Sequence, residues 1–177
     1  GITIELGFAP WVLDEATSVS VIDVPGHRRL VHTMIAGAAG IELVLLVVAA
    51  DEGMMPQTRE HLAACELLGI RRAVVSITKI DRVERDLAEL AAAEISDALR
   101  GRFEHQVVLC SAKTGEGLDV LRETIRAALR SLPAPPSDAP AHLSVDRVFS
   151  VKGAGTVVTG TLVRGRLSVG DPLRVAG

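Results

Sequence analysis

The chain has 177 residues, enough for one sizeable domain, or for one domain and part of another. Apolar residues make up 48% and aromatic residues 2%, with no tyrosine, so a core has to be built from Val, Leu, Ile and Ala. The formal net charge of −3 excludes a global basic field that would draw in nucleic acid, and leaves any RNA contact local.

Residues 2–9 (ITIELGFA) and 18–22 (SVSVI) have the β-branched content and partial alternation of strands, paired as a hairpin about a turn near Asp14 to Thr17. Asp23-Val24-Pro25-Gly26-His27 breaks the second strand. Residues 28–38 carry Leu30, Met34 and Ala38 at helical spacing. The run ELVLLVVAA at 42–50 suits a parallel strand buried on both faces. With Ile41 it is the longest apolar run, far short of the ~20 residues of a membrane span. No signal-peptide pattern is visible, so a cytoplasmic protein with no membrane partner is expected.

Pro56 opens the next helix and Gly69 closes it. Residues 72–77 read as a second buried strand. Residues 84–100 read as a charged amphipathic helix with Leu87, Leu90, Ile95 and Leu99, stopped at Gly101. A short strand follows at 106–110, then a helix from Leu118 to about Arg130 with Leu118, Leu121, Ile125 and Leu129 on one face. Strands alternating with helices over 1–131 predict an α/β domain with a mostly parallel, doubly wound sheet and flanking helices. Residues 132–141 hold four of the eight prolines and predict a stiff linker. From 142 to 177 the helical pattern is gone. Segments 143–149, 155–163, 166–169 and 172–175 read as antiparallel strands that begin a β-barrel domain. Cys65 and Cys110 sit in apolar runs and are expected to be buried free thiols of a reducing compartment. The chain opens on Gly1 within a strand pattern and reads as an internal fragment.

Three short motifs follow predicted strands, at the carboxyl ends where open α/β sheets bind ligands. The first is Asp23-Val24-Pro25-Gly26-His27. A carboxylate there can hold a water of a Mg²⁺ ion, and a glycine lets backbone N–H approach a phosphate. By itself the motif is equally an ordinary turn. The second is Thr78-Lys79-Ile80-Asp81. One carboxylate can accept two hydrogen bonds from the ring N–H and exocyclic amine of guanine, a pair adenine cannot supply, while the lysine stem lies over the purine face. By itself the tetrapeptide is a weak signal, and a plain helix-capping Asp is the simpler reading. The third is Ser111-Ala112-Lys113, where small residues let backbone N–H reach the guanine O6. In one chain, in this order and setting, the three support one another. Gly153-Ala154-Gly155 is not read as a dinucleotide fingerprint, because the strand-like TVVTGT follows it rather than a helix.

With DVPGH, LLVVAADEGMMPQTREHL at 45–62, TKID and SAK in place, the chain resembles the translational GTPases of the elongation factor Tu type. LGFA at 6–9, TREHL at 58–62, TKID with Thr78 where elongation factors usually carry Asn, and VDRVFSVKGAGTVVTGT at 145–161 running into VGDPL narrow this. They are similar to the selenocysteine-specific elongation factors. The resemblance implies a P-loop GTPase-type fold, GTP and GDP as ligands and Mg²⁺ as cofactor. It implies delivery of selenocysteinyl-tRNA to the ribosome, with GTP hydrolysis. An mRNA hairpin would be a further partner, through domains beyond this chain. It places Thr3 on the switch threonine that ligands Mg²⁺ and Ile2 beside the catalytic histidine. Asp23 falls on the carboxylate holding Mg²⁺ through water, Gly26 on the γ-phosphate N–H, and His27 on the residue positioning the attacking water. Thr78, Lys79 and Asp81 fall on the base-reading motif, supported by Ser111, Ala112 and Lys113. Asp146 and Arg147 fall on the pair lining the selenocysteinyl pocket, though an ordinary strand ion pair reads the same way. His32, His61, His105 and His142 have no such setting and are expected to be surface or structural.

The resemblance also implies that a first strand and the phosphate-binding loop precede Gly1, with that strand lying between 18–22 and 42–50. Those two segments are then expected about 10 Å apart and unpaired. The fragment alone is expected to be marginally folded and to bind GTP weakly. Alternatives are another translational GTPase, of the elongation factor Tu or initiation factor 2 γ kind, and a nonenzymatic remnant that binds no nucleotide.

Overall fold

A computed structural model describes residues 7–12, 14, 18–23, 41–133 and 138–175. The chain divides into two compact units, residues 1–132 and 133–177.

In the first unit, β1 (Gly7–Val12) and β2 (Ser18–Asp23) form an antiparallel ribbon, with Gly7 opposite Asp23 and Val12 opposite Ser18. The first strand thus runs past its expected end at Ala9. Pro10 lies inside it, opposite Ser20. Among the described residues the ribbon has only these two strands, so Pro10 sits on an edge strand, where proline is tolerated. Residues 2–6 of the expected strand, the turn at 15–17 and the expected helix at 28–38 lie outside the described residues.

The second sheet is parallel, in the order β3 (Val44–Ala49), β4 (Arg72–Thr78), β5 (Glu104–Leu109). The crossover from β3 to β4 is α1 (Pro56–Leu67), and that from β4 to β5 is α2 (Arg85–Leu99). A third helix, α3 (Leu118–Arg130), follows β5. β4 is central and is buried from Ala73 to Ile77 on both faces. Its Ala73, Val75 and Ile77 pack with Leu46 and Val48 of β3, with Leu62 and Cys65 of α1, and with Ala88, Ile95 and Leu99 of α2. Val74 points to the other face, where it lines a crevice of about 180 Å³ with Ala127 and Ala128 of α3. Each fully buried Leu, Ile or Val contributes about 1.5–3 kcal/mol.

Two expectations about burial fail. The run at 42–50 is not buried on both faces, since Leu45 and Val47 are 45% and 59% exposed. β3 is the edge of the described sheet, and among the described residues packing covers only the face carrying Leu46 and Val48. On α2 the core stripe is Ala88, Ala91, Ile95 and Leu99, spaced three, four and four, while Leu87 and Leu90 are exposed. The small alanines face the sheet, and the bulkier leucines lie one position to the side. β2 and β3 form no ladder with each other: β2 pairs with β1 and β3 with β4.

In the second unit β6 (His142–Val151) and β7 (Gly155–Arg164) form a hairpin, closed by the turn at 152–154 with the Ala154 N–H on the Val151 carbonyl at 3.1 Å. The ladder slips between Val145 and Arg147, which makes a β-bulge at Asp146. Gly160 faces Val145 there. A Cβ on it would stand 1.9 Å from the Ser144 carbonyl oxygen, so the two strands approach closely only because residue 160 has no side chain. The expected strands at 166–169 and 172–175 do not form. The Ser168 N–H bonds the Asp171 carboxylate at 2.7 Å and the Asp171 N–H bonds the Ser168 carbonyl at 3.1 Å, which closes a local turn. Val169 at its tip is fully exposed, and among the described residues no strand pairs with the segment. Among the described residues no helix is long and apolar enough to cross a membrane.

Candidate functional site

Because β3, β4 and β5 are parallel, the loops after them emerge at one edge of the sheet. Asp51-Glu52 follows β3, Thr78 to Asp81 closes β4, and Ser111 to Lys113 follows β5. Backbone bonds continue the ladder into these loops. The Ala50 N–H meets the Thr78 carbonyl at 2.8 Å, and the Cys110 N–H meets that of Ile77 at 2.8 Å. Lys79 then turns the chain sharply. Its φ of 57° and ψ of 30° are left-handed, and it is the one such non-glycine residue among those described. A short 3₁₀ turn, Ile80–Arg82, follows, with Ile80 buried beneath it. The result presents the Asp81 carboxylate to the neighbouring loop.

There the Ser111 hydroxyl donates to Asp81 Oδ1 at 2.5 Å, and the Lys113 ammonium lies 3.7 Å from Oδ2. The Asp81 side chain is 13% exposed. The Ser111 hydrogen bond, and to a lesser degree the Lys113 charge, hold its carboxyl below the usual range against the opposing effect of desolvation. Ser111 is itself fully buried, and its hydroxyl oxygen also accepts the N–H groups of Lys113 and Thr114, both at 3.2 Å. The loop closes by the Ser111 N–H on the Glu116 carbonyl at 2.9 Å and returns through Gly117. At φ 73°, with Leu109 O 2.1 Å from where a Cβ would stand, position 117 admits only glycine without a shift of the backbone. Thr78, Lys79, Asp81, Arg82, Ala112 and Lys113 line an open pocket of about 460 Å³.

The sequence reading missed one part of this edge. The Lys79 ammonium is paired with Glu52 at 3.1 Å and Asp51 at 3.6 Å, and Arg82 reaches Asp51 at 3.3 Å. The available signal was positional: two adjacent carboxylates directly after an apolar strand, at the edge where the other motifs emerge.

Thr78 lines the pocket, but its hydroxyl donates to the Val48 carbonyl at 3.3 Å and joins β4 to β3. Asp23 ends β2, exposed, in the ribbon rather than in the parallel sheet. Thr3, Gly26 and His27 lie outside the described residues, as does His32. Asp146 and Arg147 lie at the bulge of β6 in the second unit. His105 is structural: its Nδ1 contacts the Phe103 carbonyl at 3.0 Å and its Nε2 the Ser96 hydroxyl at 2.9 Å. Cys65 and Cys110 are buried free thiols, with Cys110 Sγ 3.1 Å from the Ser76 hydroxyl. Among the described residues no three His, Cys, Asp or Glu side chains cluster as metal ligands.

The profile of the family described as "Elongation factor Tu GTP binding domain" matches residues 1–131. The chain is 52% identical to a selenocysteine-specific elongation factor of Desulfomicrobium baculatum, over 99% of the chain and 28% of that protein. It is similar to a solved bacterial selenocysteine-specific elongation factor, EF-Sec, with a TM-score of 0.88 and 36% identity, over 96% of this chain and 30% of that one. It is likewise similar to the elongation factor SelB of Methanococcus maripaludis, solved with the GTP analogue GppNHp. That match has a TM-score of 0.85 and 32% identity, over 96% of this chain and 38% of that one. The chain thus spans about a third of the length of these relatives.

Proposed function

The chain belongs to the elongation factor Tu GTP-binding family, and from that premise we propose that it is part of a factor that binds GTP, delivers selenocysteinyl-tRNA to the ribosome and hydrolyses GTP there. The observation that carries the guanine reading is the Asp81 carboxylate, held ionised by Ser111 beside an open pocket at the carboxyl edge of the sheet.

In this reading Asp81 accepts the guanine ring N–H and amine on lone pairs that Ser111 leaves open. The Ala112 N–H, which takes no part in the hydrogen bonds closing the loop, meets O6. The Lys79 stem lies along the purine face. Ser111 orients Asp81 and stiffens the loop that carries Ala112. Asp23 is an exposed hard-oxygen donor at a strand end, which suits Mg²⁺ through water, and Thr3 is the proposed direct ligand. When bound, Mg²⁺ offsets the phosphate charge. The Gly26 N–H holds the γ-phosphate and is freed when hydrolysis removes it, and His27 positions the water. Asp146 and Arg147 line the selenocysteinyl pocket.

The test is Asp81→Asn in a full-length factor carrying this chain. Replacing one acceptor by a donor should lower guanine nucleotide affinity by about a hundredfold and favour xanthosine nucleotides, whose carbonyl replaces the amine. An undiminished preference for guanine in competition binding would remove Asp81 from base reading.

A further inference from the structure

We propose that Asp51 and Glu52 are positioning residues for base selection: they hold the Lys79 ammonium away from Asp81, so that the carboxylate stays open to the base. This rests on the guanine reading above and adds two residues to it.

The two carboxylates follow β3, while Lys79 and Asp81 follow β4. Lys79 and Asp81 are two residues apart and line the same pocket. A lysine ammonium on a flexible stem is drawn to any carboxylate in reach. Asp81 already has one cation beside it, Lys113 at 3.7 Å. A second cation on Asp81 would compete directly with the guanine ring N–H and amine for its lone pairs. Instead the Lys79 ammonium rests between Glu52 Oε1 at 3.1 Å and Asp51 Oδ1 at 3.6 Å. The other oxygen of Asp51 takes Arg82 at 3.3 Å, so the one carboxylate draws both flanking cations to the β3 side. The left-handed backbone at Lys79 turns the chain from β4 into the short 3₁₀ segment that carries Asp81. The stem is thereby held at the pocket wall with its charge already satisfied, ready to cover a purine without ordering on arrival.

These pairs are partly exposed, so each is worth little by itself and the effect is read as selectivity at low ionic strength. The measurement is the ratio of GDP to IDP affinity in a full-length factor carrying this chain. Inosine lacks the 2-amino group, so the ratio reports the second bond to Asp81. In Asp51→Asn/Glu52→Gln the ratio should fall by about three- to tenfold, with an unchanged thermal midpoint. In a Lys79→Gln background the same two substitutions should leave the ratio unchanged, because no ammonium is left to stray. Glu52→Gln alone, at an exposed position, should give part of the fall and guards against misfolding of the double variant. An unchanged ratio, or an equal fall without Lys79, would overturn the proposal. A wild-type factor that binds adenine nucleotides as well as guanine would instead defeat the guanine reading itself.

Discussion

Ser111 shows how much one small side chain can do. Its hydroxyl donates a hydrogen bond to Asp81 and accepts two from backbone N–H groups, so its removal acts on both charge and loop. Ser111→Ala should leave the Lys113 and Thr114 N–H groups without acceptors, at about 1–3 kcal/mol of stability. It should also let the Asp81 carboxyl rise toward its ordinary range. The sign follows from linkage. A carboxyl lowered in the folded protein stays ionised above its lowered pKa, and what its charge supports is lost only as pH falls through that value. The acid limb of GDP binding should therefore move to higher pH in Ser111→Ala, and a titration with identical limbs in both proteins would exclude the role. Asp81, Ser111 and Lys113 were legible in the sequence because each sits within four residues of a strand end. The Lys79 partners were not, because Glu52 and Lys79 are 27 residues apart and meet only through strand pairing.

Among elements, the crossover helices and the three parallel strands were legible from period and from their Pro and Gly boundaries. Exposure was not. An apolar run looks the same at the centre of a sheet as at its edge, so Leu45 and Val47 were misjudged while β4 was not. The tail at 166–175 was misjudged for a related reason: β-branched residues give strand character, but a strand also needs a ladder partner, and the Ser168–Asp171 bonds make a turn instead. The bulge at Asp146 was also invisible, although Gly160 was its one mark in the sequence. Gly160→Ala should drive the strands apart and destabilise the hairpin by about 1–3 kcal/mol. Hydrogen exchange should show faster exchange for β6 and β7 amides and no change in β3 to β5. Unaltered β6 and β7 protection would mean that the bulge relaxes freely.

For the molecule as a whole, the proposed function divides between the two units: base reading in the first, aminoacyl recognition in the second. Arg147→Ala in a full-length factor should separate them. A selenol is largely ionised near neutral pH, and a nearby cation favours the anion. Selenocysteinyl-tRNA binding should therefore fall about tenfold more than seryl-tRNA binding, with GTP affinity unchanged. Equal losses would leave Arg147 a structural role alone. The parallel sheet has one more consequence, which concerns the order of events when the chain folds. Asp81 meets Ser111 across 30 residues, and Thr78 meets Val48 across 30. Each of these ties spans a whole crossover, so none can form in an isolated helix or hairpin, and such distant closures come late and slowly. A chain still assembling has motifs but no binding site. If the proposed guanine reading holds, the nucleotide can select only finished molecules, and by mass action it holds them in that state once they are made.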